Sequence, residues 1–251
     1  MEEVILDPNA DAILILPVRK HEFAPWNEEK EFPRPPFVLP PVDEDIQIDT
    51  AMQINEDEAD TMDEDLDADD DDDEEKEDDA KKIHFHVSSR HLILASLYFR
   101  GLLGEEWGTH PRDEKGRFIL EELTEWGAET FGILLCIIHG KARRVPRSLD
   151  LAAIAEIASM VDYYQCEEVV EVYFTYWMDN LEEAMSTNYG RSTVLWLWIS
   201  WVFRDEMKFR ITTYVMIRNC RAGMQDLGLP IPDQVLSTCH DILSICLFGM
   251  S

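Results

Sequence analysis

Apolar residues alternate with polar ones over Ile83, Phe85 and Val87, a spacing of two that lines one face of a short strand. Behind it, Leu92, Ala95, Phe99, Leu102 and Leu103 recur at helical spacing, and the hydroxyls of Ser88 and Ser89 are expected to cap the first turn. Residues 83–104 therefore predict a strand, a helical turn and a second helical turn, with no phosphate loop between them. Upstream, DAILILPV is an apolar run stopped by Pro17, read as a first, buried strand over 11–17. Downstream, RFILEEL at 117–123 predicts a third strand. Phe131, Leu134, Leu135 and Ile138 then follow i, i+3, i+4, i+7, the stripe of a helix over 126–139 that ends near Gly140. A helix over 150–163 carries Leu151, Ile154, Ile157, Ala158 and Val161 on one face. The next, over 166–178, carries Val169, Val172, Tyr173 and Tyr176.

Helical patterning continues through 180–251. Leu195, Trp198, Ile199 and Val202 make one stripe; Ile211, Tyr214, Val215 and Arg218 make another. Gly223, Gly228, Pro230 and Pro232 mark a turn, and residues 233–248 predict a final helix. The rings of Trp196, Trp198, Trp201 and Phe203 cannot all share one side of a helix, so they are expected to pack on the helices before them, with some meeting a second element or a partner. No repeat of 20–50 residues is present, which argues against a solenoid or propeller.

Residues 19–42 break this regularity. Six prolines among Trp26, Phe32 and Phe37 oppose helix and sheet and predict an extended linker, in which Pro33 and Pro36 form a PxxP read as part of a stiff spacer. Charge then changes the picture. The net charge of −30 divides into −4 over residues 1–42, −21 over 43–79 and −5 over 80–251. The run DDDDDEEKEDD at 69–79 repels itself and has nothing apolar to bury, so 43–79 is expected to be disordered, a solvated spacer or a binder of basic partners such as histones. The remainder is an ordinary, mildly acidic globular protein whose 45 % hydrophobic content can fill a core. No clustered basic face exists to neutralise phosphates, which disfavours direct nucleic-acid binding.

The candidate chemistry is sparse. Five cysteines without a CxxC pair fit reduced, partly buried thiols of the cytoplasm or nucleus better than a disulfide framework. The apolar run over 194–203 is about half what a membrane-spanning helix requires, and the first residues carry no basic leader, so a soluble protein is expected. His84 and His86 form an HxH pair, with His91 beyond, but zinc needs further ligands and neither CxxC nor HExxH supplies them; exposed strand histidines are the expectation. GxSxG, GxGxxG and GxxxxGK[ST] are absent, and Glu121, Glu122 and Glu125 read as a solvated face. No enzyme activity and no cofactor are expected.

The ordered set of elements resembles the BTB/POZ family. The matching residues are Asp11 before the first strand, Phe85 and Val87 in the second, and Leu92, Ser96, Phe99, Leu102 and Leu103 in the helical pair. Ile119 and Leu120 follow in the third strand, then Phe131, Leu134, Leu135, Ile138, His139 and Gly140, and Ala158, Asp162 and Tyr163. The chain departs from the family where its usual His at the start of the helical pair is Ser88, and where a Pro often follows the Ser it has Leu97; both look like divergent fungal members, which also tend to carry a helical C-terminal extension. A third departure is an insertion between the first two strands, which normally form a tight hairpin. Closing a loop costs only about 0.6 kcal/mol per doubling of its length, so a hairpin tip tolerates it.

The resemblance implies an α+β BTB/POZ fold over 8–178, interrupted by a Pro-rich and acidic insertion at 19–80, with a helical extension at 179–251 packed on the domain. It implies a non-enzymatic protein-interaction module, an assembly or adaptor protein with a cullin-type ubiquitin-ligase scaffold as one partner. The acidic motif of many cullin binders is not evident in KARRVPRSL, which weakens that partner. A chain starting at its first core strand lacks the helix that many members swap, so a monomer or weak dimer is expected. The candidate partner-binding residues are Lys141, Arg143 and Arg144 of a basic loop, and Asp69, Asp70, Asp71, Asp72, Asp73, Glu74 and Glu75 of the acidic run. The loop could dock such a tract of the same or another chain, a contact that salt would keep weak.

Overall fold

A computed structural model describes residues 2–27, 81–104, 111–121, 126–219 and 224–237. They form a mixed α+β protein: β1 (Glu2–Ile5), β2 (Ala12–Pro17), β3 (Lys82–Val87), α1 (Ser89–Ala95), α2 (Leu97–Leu103), β4 (Phe118–Leu120), α3 (Ala128–Ile138), α4 (Leu151–Tyr164), α5 (Glu167–Asp179), α6 (Arg191–Val202) and α7 (Glu206–Asn219). The final helix expected over 233–248 is described only from Asp233 to Ser237, and its remainder lies outside the described residues.

The strands lie in the order β1-β3-β2-β4. β2 runs antiparallel to β3 from Ala12↔Val87 to Pro17↔Lys82, although residues 18–81 separate them in sequence. β1 is a correction to the expectation that 11–17 is the first strand and 8 the domain start: Glu2–Ile5 pairs in parallel with β3, Ile5 opposite His86. Its burial shows why periodicity missed it, since Glu2, Glu3 and Ile5 are exposed and only Val4 turns partly inward. β4 is shorter than the predicted 117–123 and runs parallel to β2.

Ala12, Leu14, Leu16, Phe85, Val87 and Leu120 project from one face of this sheet into a single core that also receives α1–α6. Gly132 of α3 lets the sheet approach closely, because a Cβ there would stand 3.3 Å from the Phe85 ring. Tyr164 is the hub of an aromatic cluster, stacked on Phe99 at 4.9 Å and accepting a hydrogen bond from Trp126 Nε1 at 2.9 Å. Ser96 clasps the helical pair to this hub: its hydroxyl accepts from the Phe99 N–H, capping α2, and donates to the Tyr164 carbonyl at 2.6 Å.

The entrance to α1 differs from the sequence expectation. The Ser88 side chain makes no capping bond. Instead Asp11, one residue before β2, accepts from the Ser89 N–H and the Ser89 hydroxyl, both at 2.6 Å. His139, at the end of α3, accepts the Ser88 N–H through Nε2 at 3.0 Å and bonds the Leu135 carbonyl through Nδ1 at 2.9 Å. Since Nε2 must accept, this ring is the neutral Nδ1–H tautomer. Burial lowers its pKa below the ordinary 6.5, against the raising effect of the Leu135 bond.

In α5 the actual core face is Val170, Phe174 and Trp177, not the predicted Val169, Val172, Tyr173 and Tyr176. The helix has two apolar stripes, and the wetter one was the more regular. α6 is apolar all round and lies between α4 and α7. Trp198 donates to Ser159 of α4 at 2.9 Å, Trp196 is buried, and Phe203 stacks on Phe174 of α5 at 3.8 Å; of the four rings only Trp201 is exposed. α7 buries Thr212, Val215 and Met216, so the expected stripe is rotated and Tyr214 and Arg218 face outward.

Residues 19–27 do not form the extended linker expected from residue 19. Residues 19–27 are irregular but held: Ala24 N–H donates to Leu227 O at 3.0 Å, Asn27 and Gln225 exchange two bonds, and Trp26 meets the Tyr189 ring at 5.2 Å. Their aromatic side chains find places on the C-terminal segment, which a count of prolines does not reveal. The rest of that linker and the acidic tract 43–79 lie outside the described residues.

Candidate interaction surfaces

α3 ends by chain reversal. Gly140 takes φ 64°, a conformation glycine adopts without strain, and the Lys141 N–H returns to the Cys136 carbonyl at 2.8 Å. The reversal projects a 3-10 turn, Ala142–Arg144, in which Arg143 and Arg144 are exposed and Lys141 is half-buried. Val145 is buried beneath it, and Trp177 Nε1 donates to the Pro146 carbonyl at 3.0 Å, so α5 holds the loop down. Arg144 Nη1 donates to the Ile5 carbonyl of β1 at 3.2 Å, and the Arg147 guanidinium stands 5.7 Å from the Tyr176 ring centroid. None of these four bases forms an ion pair among the described residues.

The basic turn thus connects two open features. One is β1, the edge strand of the sheet; the opposite edge, β4, is bridged by Arg112, whose guanidinium stacks on Phe118 at 3.8 Å. The other is the outer stripe of α5, where Val172 is 76 % exposed and Tyr176 41 %. Together they form a basic ridge with apolar anchors, the composition that holds an acidic, partly apolar partner. Of the residues singled out in the sequence, Lys141, Arg143 and Arg144 are brought together here. Asp69 through Glu75 lie outside the described residues.

The other candidates are placed as follows. His84 and His86 are not the exposed strand histidines expected: both are half-buried on the outer face of β3. His86 Nδ1 faces Arg117 Nη1 at 3.3 Å, and since arginine only donates, Nδ1 accepts and the ring is the Nε2–H tautomer, with Glu3 3.9 Å away. No group of three or more His, Cys, Asp or Glu that could hold a metal occurs among the described residues. Cys136 and Cys166 are buried free thiols; burial raises both, Cys166 to about 12, so neither is a nucleophile as it stands. Glu121 is exposed, and Glu122 and Glu125 lie outside the described residues. Beneath 19–23 a cavity of about 410 Å³ opens against the starts of α3 and α4, where buried Glu156 accepts the Gly127 N–H at 2.8 Å; acids and bases line it in near balance.

Among the described residues no helix is long and apolar enough to cross a membrane. Sequence reasoning missed the edge strand β1, the anchoring of 19–27 and the outer stripe of α5; only the last left a signal, its regular apolar spacing, which was assigned to the wrong side. No protein-family model, curated protein or solved structure matches the chain.

Proposed function

We propose that this chain is a BTB/POZ-type protein-interaction module, acting by holding partners and carrying no chemistry of its own. The observation that supports it best is the pairing of β2 with β3 across 64 intervening residues, locked by the Asp11–Ser89 clasp and followed in order by the helical pair, β4 and α3–α5. That order, with Asp11 before β2, is part of what the family resemblance rests on. The partner surface is the basic ridge of Arg143, Arg144 and Arg147 with Tyr176 and Val172 beside it, and its partner is an acidic protein with an apolar anchor. A cullin-type scaffold in the cytoplasm or nucleus is the partner the resemblance implies.

The test compares the wild-type full chain with an Arg143→Glu, Arg144→Glu, Val172→Asp variant in binding to purified cullin scaffolds and in affinity purification. All three side chains are exposed and the triple change gives up only one exposed bond, from Arg144 to the Ile5 carbonyl, so circular dichroism should be unchanged and the melting temperature nearly so while the partners are lost. Partners retained by the variant, or no partner held by wild type above a control protein of equal charge, overturn the reading.

A further inference from the structure

We propose that the corner where α4 ends, α5 begins and α6 turns into α7 is a socket for a basic side chain, an arginine or lysine presented by a segment of a partner protein. The cavity there measures about 360 Å³, at the small end of ligand pockets and suited to one long side chain. Trp201 forms a wall. It is 41 % exposed, at the end of a helix whose other indoles are buried, and its ring lies 5.7 Å from that of Phe209. An exposed indole face is the strongest side-chain partner for a cation.

Four carboxylates line the cavity, and one is already committed: Asp205 accepts the Lys208 N–H at 3.0 Å and pairs with the Lys208 ammonium at 2.5 Å. Among the described residues Asp162, Glu167 and Glu206 make no side-chain hydrogen bond or ion pair. Glu167 and Glu206 stand at the first positions of α5 and α7, where the helix dipole favours an acid whatever its function. Asp162 has no such reason. It lies in the last turn of α4, where the dipole disfavours a negative charge, with Glu167 beside it; partial burial and that neighbour raise its pKa above the ordinary carboxylate value. Three unfavourable effects on one carboxyl, with no cation paired to it among the described residues, fit a group that awaits one. Among the described residues Arg204 is the one base lining the cavity and forms no ion pair. An incoming cation meets three uncommitted carboxylates and one guanidinium.

This socket is separate from the basic ridge and does not depend on the BTB/POZ reading. Its test is fluorescence anisotropy of a labelled arginine–glycine peptide with the full chain at physiological salt. Trp201→Ala removes no charge, so it separates the socket from non-specific capture by the acidic tract. It should weaken binding about fivefold or more. Asp162→Asn with Glu167→Gln should weaken it similarly, and Arg204→Gln should tighten it about twofold. Asp162→Asn alone should leave the melting temperature equal or higher. No binding by wild type, binding unchanged in either weakened variant, or a lower melting temperature for Asp162→Asn overturns the proposal.

Discussion

Asp11 and Asp162 are carboxylates beside the same core, and they live in opposite circumstances. Asp11 spends both oxygens on Ser89, at 2.6 Å each, and joins β2 to α1. Asp162 has no side-chain partner among the described residues, stands at the wrong end of its helix and faces another acid. A charge whose hydrogen bonds close within the fold is architecture, whereas a charge the fold leaves strained marks a surface that meets something else. The resemblance motif includes both residues and does not distinguish them; only the partners do.

The comparison breaks most easily at Asp11. Asp11→Ala removes two charge-assisted bonds and leaves the Ser89 N–H without its acceptor, a loss of about 3 kcal/mol in urea unfolding. Asp11→Asn keeps one acceptor and should lose roughly half of that. Equal stability of Asp11→Ala and wild type would show the clasp to be incidental.

His139 serves the same entrance without a charge, and pH reads it. Its pKa is lowered by burial, so the folded chain binds a proton less readily than the unfolded one. Stability is therefore expected to fall as pH drops below about 6.5, and to level off once the folded-state pKa is passed. His139→Gln retains an acceptor at the ε position and should flatten that fall; His139→Ala should cost about 1–3 kcal/mol at pH 7.5 by orphaning the Ser88 N–H. Thermal unfolding between pH 8 and 5, taken as the difference between wild type and His139→Gln, isolates this ring from the other six histidines.

How much of this was legible in the sequence depends on what each element buries. β3 alternates cleanly, and β2, α3 and α4 keep a regular apolar spacing even though they are buried on most sides, so period alone placed them within a residue or two. β1 was invisible because its outward residues are acidic and its pairing is with a strand some 80 positions away. α5 misled because it is apolar on two sides, so periodicity could not say which face is inside, whereas the stripe read in α6 is buried together with nearly all of a helix that is apolar on every side. The capping group of α1 was misassigned for a different reason. Ser88 sits at the N-cap, but the acceptor comes from 78 residues upstream, a distance no local rule spans. The basic turn was legible as composition, while the socket around Trp201 joins residues from four helices and could emerge only from the packing.

At the corner of α4, α5 and α7 the aspartates before α7 and closing α4 give the finest contrast. Asp205 is the ordinary case. Burial would raise its pKa, but its bonds to Lys208 outweigh that and hold the carboxyl below 3.8, so its contribution is present at neutral pH and lost as pH falls through that lowered value. Asp205→Ala should cost about 1 kcal/mol, the usual worth of an N-cap. Asp162 carries the reverse sign. With a folded-state pKa above the unfolded one, its charge lowers stability at neutral pH and the penalty lifts as pH falls through the raised value. Asp162→Asn should therefore stabilise the free chain, by only about 0.5 kcal/mol because the group is exposed and screened. Urea titrations of both variants at pH 7 and pH 4.5 read the two signs directly: the Asp205→Ala deficit persists at both, and the Asp162→Asn gain shrinks at the lower pH. A gain of the same size at both would mean that the strain at the α4–α5 corner is not electrostatic, and the contrast with Asp11 would lose its physical basis.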